Sequence, residues 1–344
     1  MTPAIVGIAG PRLTPAEARL LRRHRPAGII LFARNVEDPA QLRALTADLR
    51  RVLAPNAAIL VDQEGGRVAR LRPPHWLAHP PAAELGRLFD RDRASGLRAA
   101  WLTGALIGAD CAACGFDVVC APVLDLAYPG AHDVIGDRSF GPDPHSVGRL
   151  GRALAAGLLA AGVQPVGKHA PGHGRARVDS HLALPRVDGI DLAADMLAFQ
   201  LNADLPWAMT AHILYTGLDP SNPATHSADI ILSVIRGKMA FNGVLVTDDL
   251  AMQALTGSPA ERAAAALAAG CDIALYCSGE LAPTEALLAA CPALRPESFR
   301  RLRAARSLAR RRRIALDPVA LAAERGRLLG ACQLGACQLG ACRA

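Results

Sequence analysis

The chain has 344 residues, 51% hydrophobic and 20% charged, which suits one large domain or two ordinary ones around a sizeable core. Its formal net charge of +7 admits an anionic partner, but much of it sits in Arg300, Arg301, Arg303, Arg306 and the run 310–313. No recognisable nucleic-acid module stands beside those arginines, so a solvated helix face is preferred and neither nucleic acid nor membrane is expected as a partner.

Short apolar runs recur at residues 4–8, 28–32, 58–62, 118–124, 163–169, 207–212, 244–248 and 272–277. Each has strand length and is continuous rather than alternating, the pattern of parallel strands covered on both faces. Between them lie stretches with helical spacing, such as 39–53, 146–161 and 259–269. Eight runs in β-then-α order predict an α/β fold, a (β/α)8 barrel of the TIM type. The alternative, an open doubly wound sheet binding a dinucleotide, wants a Gly-rich loop after the first run, where the chain reads IAGPR (residues 8–12). Residues 281–326 read as helices that close or pad the barrel. The expected division is one catalytic domain over 1–326 and a flexible, low-complexity tail over 327–344.

Polar residues gather where the runs end: Asp62, Asp125, Lys168 and His169, His212, Asp248. A barrel brings the C-terminal ends of its strands onto one rim, where active sites lie. The bland alternative is that strand ends are simply more polar than strand middles.

The richest segment, 167–181, reads GKHAPGHGRARVDSH. Its prolines and glycines predict a shaped loop. Asp179 and His181 are two apart, and in an extended segment such residues point the same way. The carboxylate would then hold the imidazole's tautomer and favour its charged form, as a general acid/base requires. Two alternatives are a metal set of His169, His173 and His181, whose spacing matches no zinc signature, and a merely structural loop. Segment 243–252, GVLVTDDLAM, ends an apolar strand on two acids. Asp248 is assigned to chemistry, as a carboxylate able to attack an anomeric carbon or to stabilise positive charge there, and Asp249 to capping a helix. In segment 62–70, DQEGGRVAR, Asp62 and Arg70 can bind sugar hydroxyls, whereas Glu64 and Arg67 are read as an ion-pair brace. Arg138, in DRSFG (137–141), could bind a carboxylate, an acetamido carbonyl or a hydroxyl, or pair with Asp137 or Asp125 as scaffold.

Nine cysteines are present, three of them in the tail repeat. Cys111 and Cys114 form a C-x-x-C in an apparent helix, with no second pair at zinc spacing, so they are read as packing. Free thiols, the missing signal-peptide pattern and the lack of a membrane-length apolar stretch lead to the expectation of a soluble cytoplasmic protein, a monomer.

Together these segments resemble glycoside hydrolase family 3, specifically bacterial β-N-acetylhexosaminidases of cell-wall recycling, over about residues 28–277. The most specific parts are Lys168-His169 with PGHG at 171–174 and Asp179-Ser180-His181, joined by VTDDLAM (246–252) and DQEGGRV (62–68). The resemblance implies a retaining exo-β-N-acetylglucosaminidase without cofactor or metal. It implies Asp248 as nucleophile, His181 as acid/base and Asp179 as its partner. It also implies Asp62, Arg70, Arg138, Lys168 and His169 as residues that hold the sugar. The implied substrate is a muropeptide bearing N-acetylglucosamine on 1,6-anhydro-N-acetylmuramic acid. The chain departs from the family at Ala170, where a larger apolar residue is usual, and in the Cys-rich tail. The rival readings are a phosphorylase on the same site, a metal-dependent hydrolase and a non-catalytic sugar-binding barrel.

Overall fold

A computed structural model describes residues 1–180, 182–189 and 191–340. Eight parallel strands close into a barrel in chain order: β1 (Thr2–Val6), β2 (Pro26–Leu31), β3 (Ala58–Val61), β4 (Val118–Val119), β5 (Gln164–Ala170), β6 (Trp207–Thr210), β7 (Val244–Asp249) and β8 (Ile273–Tyr276). Closure is made where Ala4 of β1 pairs with Ala274 of β8. The expected barrel is therefore present, with all eight apolar runs as its staves.

The runs are continuous because both faces of each strand are buried. Ile5, Ile30, Leu60, Val166, Met209, Val246 and Leu275 fill the barrel interior. Their neighbours Val6, Ile29, Ile59 and Leu245 pack outward against the helices. One prediction was too long: the fourth run holds a regular ladder only at Val118–Val119. Pro122 has no N–H to give, but the run stays bonded to β5: the Ala121 and Pro122 carbonyls accept the Val166 and Lys168 amides at 2.9 and 3.1 Å, and the Leu124 amide donates to the Lys168 carbonyl at 2.7 Å.

The helices are α1 (Pro15–His24), α2 (Pro39–Val52), α3 (Ala82–Arg91), α4 (Arg93–Ala113), α5 (Pro144–Ala160), α6 (Ala193–Gln200), α7 (Pro259–Ala269), α8 (Leu281–Ala290), α9 (Pro296–Arg312) and α10 (Pro318–Gly340), with a π-type helix over Ile230–Lys238. Their starts are written locally. Thr14, Asp38, Asp143 and Ser258 each precede a proline and accept a backbone N–H of the first turn. α4 and α5 touch backbone to backbone: a Cβ on Gly104 would lie 2.0 Å from the Leu154 carbonyl oxygen. α9 plugs the N-terminal mouth, with Leu302 and Ala305 in the interior cluster. α10 runs through Gly340, so residue 326 falls within a helix. Cys111 and Cys114 are buried thiols on α4 and at its end, as packing requires. No helix among the described residues is long and apolar enough to cross a membrane.

Candidate active site

At the C-terminal mouth of the barrel a cavity is lined by Asp62, Glu64, Arg70, Arg138, Lys168, His169, His173, Ser180, Asp248 and Asp249, with Phe32, Val134, Ile135, Met209 and Met252 among its apolar walls. Six of the eight residues singled out from the sequence thus share one space. Asp179 lies half-buried on the loop beyond β5. His181 lies outside the described residues.

One wall is an ion network. Lys168, on β5, places Nζ 2.9 Å from Asp62 and 2.6 Å from Glu64. Glu64 takes a two-pronged bond from Arg138, at 2.8 and 2.9 Å, and Arg70 reaches Asp62 at 3.3 Å. Burial alone would push up the carboxyls of Asp62 and Glu64. Lys168 with Arg70 in the first case, and Arg138 with Lys168 in the second, outweigh it and hold both below their ordinary values. Burial likewise opposes the charge on Lys168, but Asp62 and Glu64 raise its pKa. The Glu64 brace is as expected. Arg138, however, pairs with Glu64 and not with Asp137 or Asp125; Asp137 pairs with Arg67 at 3.0 Å. Arg70 keeps a buried Nε with no hydrogen-bond partner among the described residues.

The floor is Asp248, at the C-terminal end of β7. Its Oδ1 accepts the Asp249 amide at 2.8 Å, and its Oδ2 stands 4.0 Å from His169 Nε2, too far for a hydrogen bond. Burial raises its pKa, but His169, His212, the Asp249 amide and Lys168 together lower it to about 2. Burial holds His212 itself down to about 4, so it is uncharged at neutral pH. Asp248 is therefore an ionised carboxylate whose Oδ2 accepts no hydrogen bond among the described residues.

Asp125, wholly buried after β4, anchors the strand that carries Lys168 and His169. Its carboxylate accepts the backbone amides of His169 and His173 at 3.1 and 2.6 Å and the His169 Nδ1–H at 2.7 Å. Because an ionised carboxylate only accepts, the His169 proton sits on Nδ1 and Nε2 turns to the cavity.

Two local expectations change. No helix follows Asp249: its carboxylate accepts the Ala251 and Cys277 amides, both at 2.9 Å or less, and so ties the loop after β7 to the end of β8. The Asp179 carbonyl accepts the amides of Leu182 and Ala183, both at 3.0 Å, a turn where an extended segment was expected. Ser180 and the apolar wall were not singled out from the sequence. Ser180's only signal was its place beside His181, and the wall residues look like any core residue until the barrel is closed.

Residues 5–307 match the glycosyl hydrolase family 3 N terminal domain. A beta-hexosaminidase of Aromatoleum aromaticum is 40% identical over 327 residues, covering 93% of this chain and 90% of its own length. Another, from Alkalilimnicola ehrlichii, is 43% identical over 283 residues, covering 80% of each. The crystal structure of NagZ from Neisseria gonorrhoeae in complex with N-trifluoroacetyl-D-glucosamine superposes with a TM-score of 0.82 at 32% identity, covering 96% of this chain and 97% of that one. The chain belongs to glycosyl hydrolase family 3 and is a glycoside hydrolase.

Proposed function

We propose that the chain is a retaining exo-β-N-acetylglucosaminidase, releasing terminal N-acetylglucosamine from peptidoglycan fragments in which that sugar is joined to 1,6-anhydro-N-acetylmuramic acid. The observation that carries this reading is Asp248: an ionised carboxylate whose Oδ2 accepts no hydrogen bond among the described residues, on the floor of a cavity whose wall of Asp62, Arg70, Arg138, Lys168 and His169 offers both donors and acceptors. Support for the sugar comes from relatives named beta-hexosaminidase and from the similar structure that holds an N-acylated glucosamine.

In the first step Asp248 attacks the anomeric carbon as the glycosidic bond breaks, and His181 gives its proton to the departing oxygen. In the second, His181 takes a proton from water, which attacks the glycosyl ester and frees Asp248. Asp179 favours the charged imidazole and so keeps that proton available. Residues 1–326 form the catalytic domain, and the protein works as a cytoplasmic monomer; the last residues of the expected tail, 341–344, lie outside the described residues.

Proton NMR of early hydrolysis tests the stereochemistry. The β-anomer of N-acetylglucosamine is expected first, in phosphate and in phosphate-free buffer alike. Early α-anomer would contradict the two-step route, and sugar 1-phosphate would contradict hydrolysis.

A further inference from the structure

We infer that Ser180 is a positioning residue for the acid/base: its hydroxyl, held by the His173 imidazole against the cavity wall, sets where the following residue stands. The inference rests on the reading of His181 as acid/base.

The loop after β5 has two parts. The first is pinned from several sides. Besides the two amides taken by Asp125, the Tyr215 hydroxyl donates to the Gly172 carbonyl at 2.8 Å. Arg175 pairs with Asp195 at 2.8 Å and lies 4.2 Å over the Tyr128 ring. A Cβ on Gly174 would come within 1.9 Å of the Leu126 carbonyl oxygen, so only glycine permits this approach.

Beyond Ala176 the chain turns outward. Arg177 and Val178 are exposed, and Leu182 is exposed by 69%. Between them Ser180 returns to the wall. It is 2% exposed, and its Oγ lies 3.0 Å from Nε2 of His173, itself 2% exposed. A loop whose apolar side chains face water gains little hold from them, so a buried hydrogen bond next to the acid/base carries weight.

His173 is oddly furnished for a packing residue. Its Nδ1 is buried with no hydrogen-bond partner among the described residues. Burial, then His169, lowers its pKa to about 4, so the ring is neutral at working pH. A neutral imidazole has one N–H and one bare nitrogen. Giving the N–H to Ser180 Oγ leaves only a bare nitrogen unpaired, which costs less than a buried N–H without an acceptor. An apolar residue would fill the space without that cost. The imidazole's contribution is the bond to Ser180.

The test uses kcat/KM, which reports the glycosylation step, on aryl N-acetylglucosaminides with good and poor leaving groups. S180A is expected to lose roughly tenfold on poor leaving groups, the weight of one buried hydrogen bond on the population of placed loop, and little on a dinitrophenyl glycoside. H173L is expected to show the same bias, and the double variant no further loss, because both remove one bond. Equal losses on both leaving groups, no loss, or additive losses would overturn the assignment. H181A, run alongside, separates the two ideas. If it shows the leaving-group bias while S180A does not, the Ser180 assignment alone falls. If H181A lacks the bias, the acid/base reading falls and Ser180's role with it.

Discussion

At the N-terminal end of the barrel the Asp272 carboxylate is wholly buried and saturated. One oxygen takes Ser298 at 2.6 Å and Arg301 at 2.9 Å; the other takes Arg236 at 2.8 Å and the Leu245 amide at 2.9 Å. At the C-terminal end Asp248 keeps 18% of its side chain exposed and, among the described residues, one hydrogen bond. Both are acids at the tips of barrel strands. The first fastens the plug helix α9 across the mouth. The second leaves its bonding capacity for a visitor. The same barrel thus uses a carboxylate for stability at one end and for chemistry at the other, and the count of partners separates the two uses.

The largest expected effect breaks the C-terminal side of that contrast. D248A should lose roughly 10⁴-fold or more in turnover of an aryl N-acetylglucosaminide, with little change in the thermal midpoint, since no salt bridge within hydrogen-bond reach is lost. D272A should do the reverse. It leaves Arg236 and Arg301 without their shared partner and should cost about 3–5 kcal/mol in urea unfolding, with kcat unchanged while the protein stays folded.

E64Q sharpens the comparison, because Glu64 borders the cavity yet is saturated like Asp272. A loss of about 2–3 kcal/mol is expected, together with a raised KM. The sign with pH follows from a folded pKa held well below the ordinary 4.5. The wild-type advantage is full above that value and shrinks as pH falls from it toward the folded pKa, as paired acid unfolding curves would show. D249N should have the smallest effect. Burial raises the Asp249 pKa, so ionisation costs the fold something. Asparagine keeps a carbonyl for the Ala251 and Cys277 amides while removing that charge. A change under about 1 kcal/mol at neutral pH is expected, with wild type gaining on the variant as pH falls.

The barrel was legible because burial on both faces writes each strand as an unbroken apolar run, and proline with a capping side chain marks several helix starts. The acids and bases of the mouth were legible because they end those runs. Partnerships across loops were not. Arg138 and Glu64 meet over a separation of 74 residues, and only closure of the barrel selects Glu64 over the nearer Asp137. Asp249 resembled a helix cap because Leu-Ala-Met follows it, whereas it shares its oxygen between the Ala251 amide and the Cys277 amide just past the neighbouring strand. The turn at Asp179 was hidden because two-residue spacing implies a shared direction only if the backbone is extended.

Incubation with a fluorinated N-acetylglucosaminyl inactivator, followed by peptide mapping, tests the central claim most directly. The account predicts one sugar per chain, bound as an ester to Asp248. A label on Asp62 or Asp249, or turnover of the inactivator with no label at any stage, would contradict it.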